Sequence, residues 1–254
     1  MPLATLTIAD RVATLALNRP DARNALSPDL LADLRARVQD LARLCEDPDA
    51  SPRVCVLTGE GKSFCAGMDL RAVLDDPREA SKLLHALADL TLLIRNLPIP
   101  SIARVNGAAI GGGCGLTCVC DFAVTHDDAK LGYPEVDLGV CPAVVAPWLM
   151  LRLGPAQARR VLLEGGTMSG ARAAQLGLVT RSVPNLTDLD SAVHELTSRL
   201  VSAGPAALRA TKAWLNSLDP TPSSVTLRRG ADISAEVVAG PEAQANLRAK
   251  FASR

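Results

Sequence analysis

The stretch Asn106-Gly-Ala-Ala-Ile-Gly-Gly-Gly-Cys-Gly115 has the composition of a backbone site for negative charge. It follows an apolar strand-like run, Ile99-Pro-Ser-Ile-Ala-Arg-Val105, and leads into a cysteine-rich helical one. Three successive glycines let a backbone approach a ligand closely and reach φ values that other residues resist. A helix opening at Gly112 leaves its first amides without intrahelical acceptors, at the end that carries partial positive charge. A second stretch, Val54-Cys-Val-Leu-Thr-Gly-Glu-Gly-Lys-Ser-Phe-Cys-Ala-Gly-Met-Asp-Leu70, repeats the arrangement: a buried strand, a small-residue turn, then an acidic residue able to start a helix. Two such turns are what an oxyanion hole needs.

The elements that must position these turns read as alternating strands and helices. Leu6–Leu17 alternates like a hairpin around Asp10-Arg11. Ser27 before Pro28 reads as an N-cap with proline at the first helical position, opening an amphipathic helix to about Leu44. Short strands follow at Val54–Thr58, Ile102–Val105 and Phe122–Thr125, with a helix near Glu79–Leu97 between the first two. That alternation implies crossover connections rather than a β-sandwich. After Val183-Pro184 the pattern becomes helical: Leu189–Val201, Pro205–Leu218, Ser223–Val238 and Pro241–Phe251 all read as helices. The expected division is an α/β region over 1–190 and a helical region over 191–254.

Composition removes several function classes. Acidic and basic residues balance at 27 each, which leaves no nucleic-acid footprint. Only five of the basic residues are Lys, a bias that reads as genome composition. Aromatic residues make up 2% of the chain, so the core must rest on Leu, Val, Ala and Ile. The N-terminus shows no secretory pattern, and no apolar run approaches the ~20 residues of a membrane span. A cytoplasmic protein is the expectation. Seven cysteines in apolar runs such as Val54-Cys-Val suggest reduced core thiols. Cys114, Cys118 and Cys120 are spaced as C-x3-C-x-C, but without a nearby His they favour core packing over zinc. Gly59-Glu-Gly-Lys-Ser63 resembles the end of a phosphate-binding loop, yet that motif needs glycine at position 56, which is Val.

Four motifs in order resemble the enoyl-CoA hydratase/isomerase (crotonase) family. They are Leu17-Asn-Arg-Pro-Asp-Ala-Arg-Asn-Ala-Leu26, Phe64-Cys-Ala-Gly-Met-Asp-Leu70, the glycine-rich Asn106–Leu116 stretch running to Cys120-Asp121, and Tyr133-Pro-Glu-Val-Asp-Leu-Gly139. The resemblance implies a spiral of ββα units followed by a C-terminal helical region that builds trimers, often paired into hexamers. It implies an acyl-CoA thioester as small-molecule substrate, with coenzyme A entering as part of that substrate, no separate cofactor and no metal.

By matching motifs, the resemblance assigns the backbone amides of Met68 and Gly112 to the thioester carbonyl oxygen. Glu135 becomes the proton-transfer residue, because a carboxylate in an apolar pocket has a raised pKa and works near neutral pH. Arg23, Ala25, Lys62, Ala66, Asp69, Leu70, Arg71, Pro134 and Phe251 are expected around the CoA thioester. The acyl pocket is expected from residues near 72–90 and 140–150, with Met68 and Trp148 narrowing it.

The reaction is less determined than the family. Typical hydratases of the family have a second glutamate at the position of Gly115. Asp137 would share the face of Glu135 in an extended segment, though a structural role suits it better. Dienoyl isomerases use two further acids, and the matching positions are Gly115 and Ala143. Leu138-Gly-Val-Cys-Pro-Ala-Val-Val-Ala-Pro-Trp148 resembles a hydratase subgroup that includes methylglutaconyl-CoA-type enzymes. The expectation is therefore a hydratase acting on a 2-enoyl-CoA with one glutamate. A Δ3,Δ2-enoyl-CoA isomerase and a silent acyl-CoA-binding protein are the alternatives.

Overall fold

The structure is a computed structural model that describes residues 1–47, 51–71, 74 and 76–252, apart from the side chains of Pro77, Phe251 and Ala252. Among the described residues are two sheets and ten α-helices. The first sheet has strand order β1(Ala4–Ala9), β2(Val12–Leu17), β3(Val54–Gly59), β5(Ser101–Val105), β7(Phe122–His126), β10(Arg181–Val183). Only the β1–β2 hairpin is antiparallel. The second sheet has order β4(Ser63–Cys65), β6(Ala108–Ile110), β8(Lys130–Gly132), β9(Thr167–Ser169). Its strands have three residues each, too short for any periodicity, and the sequence reading missed all of them.

The topology is repetitive. β3 leads into β4 and then α2(Pro77–Arg95); β5 leads into β6 and then α3(Gly112–Val119). β7 and β8 repeat the step, so each pass adds one strand to each sheet. The corner between strands is where a chain must turn sharply, and two buried asparagines hold one such corner. Asn106 Nδ2 donates to Gly59 O at 2.8 Å and Gly61 O at 3.0 Å, while its Oδ1 accepts from Gly59 N at 3.3 Å. Asn24 Nδ2 donates to Glu60 O at 3.0 Å and Ser63 O at 2.8 Å. The phosphate-loop-like turn 59–63 is thus a stapled corner between two sheets.

Alternation along the central strands divides the core. Cys55, Leu57, Ala103 and Val105 face the main core with α1(Pro28–Leu44), α2 and α3. Val54, Val56 and Ile102 face the other way, against Leu189, Ala192 and Val193 of α7(Leu186–Ser202). Helix α1 begins as its sequence requires, with Ser27 Oγ accepting from Leu30 N at 3.3 Å. Three helices follow α7: α8(Pro205–Leu218), α9(Ser224–Ala239) and α10(Pro241–Ala252). Between the core strands and α7 lie α4(Ala146–Leu153), α5(Pro155–Glu164) and α6(Gly170–Leu176), which the sequence reading did not resolve. No described helix is long and apolar enough to cross a membrane. All seven cysteines are free thiols, six of them buried.

Candidate active site

Helix α3 opens at Gly112, where the glycine-rich stretch placed it. Its N-cap, Gly111, takes φ 53°, a left-handed value suited to glycine. All eight residues of the helix are buried, so its N-terminal amides meet the protein interior rather than bulk water. At the far end Arg152 donates to the carbonyls of Cys118 at 3.1 Å and Cys120, satisfying groups that the helix leaves open. A cation there complements the helix dipole.

The second amide turn lies directly against the first. Gly67 has φ 86°, and a Cβ on it would stand 2.7 Å from Ile110 O and 3.9 Å from Gly111 Cα. Leu26 N donates to Gly67 O at 2.8 Å, and Asp69 N donates to Leu26 O at 3.0 Å. In that parallel bridge the two bonds flank Met68, so its own N–H is directed away from Leu26. Among the described residues no protein acceptor takes the N–H of Met68 or of Gly112.

Glu135 completes the group. It follows the wholly buried Tyr133, whose hydroxyl lies 3.4 Å from the Cys118 thiol of α3. Its Oε1 would be 2.6 Å from a Cβ on Gly111, so the carboxylate rests on the glycine that caps α3. Its Oε2 is buried and has no hydrogen-bond partner among the described residues. Burial, with a smaller contribution from the Asp137 charge, pushes the carboxyl up to about 7. Asp137 itself does not share this face. Residues Val136–Leu138 form a 3-10 turn rather than a strand, and Asp137 Oδ2 accepts from Gly166 N at 2.9 Å.

Met68, Gly112 and Glu135 line one cavity of about 680 Å³, its mouth included. Its remaining wall is mainly aliphatic, from Leu84 and Leu87 of α2 and from the loop Val140–Val145. Pro134 also lines it. Trp148, expected to narrow the pocket, is wholly buried and is not among the lining residues. The room over Gly115 is filled: a Cβ there would stand 2.4 Å from Val145 Cγ1. Residues 72, 73 and 75, within the segment expected to line the pocket, lie outside the described residues.

A groove of about 1200 Å³, mouth included, continues from the cavity and shares Ala66, Met68, Leu70 and Ile110 with it. Arg23, Ala25, Asp69 and Arg71 line this groove, together with Lys250. Arg19 also lines it, and pairs with Asp69 at 2.7 Å. The sequence reading passed over Arg19, although it stands within the first motif beside Pro20. Lys62 is exposed on the 59–63 turn and is not among the residues lining cavity or groove. Phe251 lies in α10, and its side chain is outside the described residues.

Chemically, two outward amides beside a carboxylate with one unpartnered oxygen suit a substrate whose carbonyl oxygen gains charge while a proton moves at an adjacent carbon. The sequence model for the enoyl-CoA hydratase/isomerase family matches residues 7–248. The 2,3-dehydroadipyl-CoA hydratase of Escherichia coli K12 is 36% identical over 206 residues, covering 81% of this chain and 78% of that protein. The enoyl-CoA isomerase/hydratase fer4 of Mycosarcoma maydis is 33% identical over 225 residues, covering 86% of this chain and 80% of that protein. A crystal structure of an enoyl-CoA hydratase from Mycobacterium smegmatis matches with a TM-score of 0.80 at 33% identity, over 100% of this chain and 98% of that one. The observed architecture is therefore the α/β crotonase-like fold.

Proposed function

The chain belongs to the enoyl-CoA hydratase/isomerase family, and from that membership we propose that it is an enoyl-CoA hydratase working with a single glutamate. The thioester carbonyl of a 2-enoyl-CoA accepts hydrogen bonds from the Met68 and Gly112 amides. Water adds through its oxygen to C3, Glu135 takes the proton that the water loses, and the electron pair moves onto the carbonyl oxygen as an enolate. Glu135 then returns a proton to C2, and the carbonyl is restored. Each amide aimed at the developing oxyanion contributes about 3–4 kcal/mol to catalysis.

The observation that carries this reading is the unpartnered Oε2 of Glu135 in a cavity shared with both amide turns. A carboxyl with a pKa of about 7 can both accept and give a proton near neutral pH. The groove lined by Arg23, Arg71 and Lys250 is the proposed path of the CoA phosphates and adenine. Oligomer contacts are assigned to the helical region after residue 190, giving a trimer or a pair of trimers.

One observation favours a second reading. Val145 over Gly115 leaves Glu135 as the sole carboxylate of the described cavity lining. One carboxylate suffices to move a proton from C2 to C4, which is the chemistry of a Δ3,Δ2-enoyl-CoA isomerase. Mass spectrometry of 2-enoyl- and 3-enoyl-CoA thioesters separates the two. Gain of one water on the 2-enoyl substrate, lost in Glu135→Gln, supports the hydratase. Interconversion of 3-enoyl and 2-enoyl forms at unchanged mass, without hydration, replaces it with the isomerase. Binding of both without conversion leaves a silent acyl-CoA-binding protein.

A further inference from the structure

Glu135 and Val145 rest on the same face of helix α3, one turn apart. The carboxylate lies on Gly111 and the Val145 methyl lies on Gly115, and Gly115 N donates to Gly111 O at 2.9 Å. Side chains four residues apart on a helix have Cβ atoms about 5–6 Å from each other. The reacting carboxylate is therefore bounded by hydrocarbon supplied from a different segment, on the side where α3 offers no side chain.

Val145 is held in place from behind. It is 3% exposed, and its loop is clamped onto α9. Ser234 Oγ donates to Cys141 O at 2.7 Å and accepts from Ala143 N at 3.1 Å. A Cβ on Gly230 would stand 2.6 Å from Ala143 O, so helix and loop are in backbone contact. A β-branched side chain with one preferred rotamer, on a loop fixed at both sides, does not move aside for a ligand. The nearby cavity wall is Leu84, Leu87, Val140 and Val144, and the hydroxyl of Ser234 is already committed to the loop.

We propose that Val145 is the specificity-determining residue of the acyl cavity, restricting it to aliphatic chains that are unbranched next to Glu135. The inference rests on the reading that an acyl-CoA thioester occupies this cavity. A methyl branch beside the carboxylate would meet the Val145 methyl groups.

The test compares the full-length protein, Val145→Ala and the double variant Gly115→Ala/Val145→Ala. Binding of butyryl-, isovaleryl- and hexanoyl-CoA is measured by calorimetry, and turnover is measured on the matching 2-enoyl thioesters. The unsubstituted protein is expected to bind butyryl-CoA at least tenfold tighter than isovaleryl-CoA. Val145→Ala is expected to narrow the butyryl/isovaleryl ratio at least fivefold while leaving the butyryl/hexanoyl ratio in place.

The double variant replaces the lost methyl from the helix side. Its two methyl carbons start 3.1 Å apart, which a shift of a few tenths of an ångström relieves, and the ratio is expected to return toward the original. An unchanged butyryl/isovaleryl ratio in Val145→Ala overturns the proposal. Selective binding without turnover would remove the hydratase reading and leave the assignment of Val145 standing. Absence of binding by every thioester would remove both.

Discussion

The carboxylate of Glu135 rests on the α-carbon of Gly111, with Oε1 2.6 Å from the place a Cβ would take. One glycine thus caps the helix that offers the Gly112 amide and leaves room for the acid proposed to move the proton. Gly111→Ala should disturb both, because its φ of 53° disfavours a side chain and the methyl would displace the carboxylate. A misplacement of about 1 Å can cost on the order of a hundredfold in rate. Steady-state kinetics of this variant should show kcat falling at least about tenfold, with a smaller change in KM.

Burial of Glu135 also predicts a pH signature. Its folded-state pKa of about 7 lies above its ordinary value of 4.5, so the fold favours the protonated form. The destabilisation is absent below about pH 4.5, grows from there to about 7, and is complete above it. Glu135→Gln should therefore stabilise the protein at pH 8, by at most about 3 kcal/mol, and do little at pH 4.5. Thermal melts at the two pH values check the sign. In the unsubstituted enzyme, kcat/KM for hydration should rise with pH up to about 7, as the base ionises.

Asn106 predicts a structural loss. Replacing it with Ala strands the buried Gly59 N–H and carbonyl, together with the Gly61 carbonyl, at the corner between the sheets. The cost should be roughly 2–4 kcal/mol, read as a lower denaturation midpoint. Asn106→Asp keeps the acceptor but sets a carboxylate oxygen against the Gly59 and Gly61 carbonyls, and should cost at least as much as Asn106→Ala.

Arg23 lines the outer groove and stands away from the cavity that holds Glu135. Arg23→Ala should raise KM for a CoA thioester about tenfold, equivalent to 1.4 kcal/mol of binding, and leave kcat nearly unchanged. The same variant should not discriminate against a truncated pantetheine thioester, which lacks the nucleotide.

Much of this was legible in the sequence because it is carried by backbone chemistry. The opening of α3 at Gly112 and of α1 behind Ser27 follow from glycine and capping rules, and both stand in the structure. Glu135 was legible from its motif, not from periodicity, since a single acid after Pro134 is equally a surface turn. The second sheet was not legible, because β4, β6, β8 and β9 hold three residues each and are defined by partners far along the chain. Nor was Val145, whose place over Gly115 depends on how loop and helix meet across thirty residues of sequence. Arg19 had a signal, a cation within the first motif, but its partner Asp69 is fifty residues away.

The central claim is that Glu135 moves the proton at C2 while the Met68 and Gly112 amides hold the carbonyl oxygen. Deuterium incorporation at C2 or C4 tests it without presuming hydration or isomerisation. Crotonyl-CoA and 3-butenoyl-CoA are incubated in D2O with the protein and with Glu135→Gln, and products are read by mass spectrometry with fragment assignment. The account predicts deuterium at C2 of a hydrated product of crotonyl-CoA, or at C4 of a 2-enoyl product of 3-butenoyl-CoA, and at least about a hundredfold slower incorporation in the variant. Incorporation by Glu135→Gln at the rate of the unsubstituted protein would contradict it.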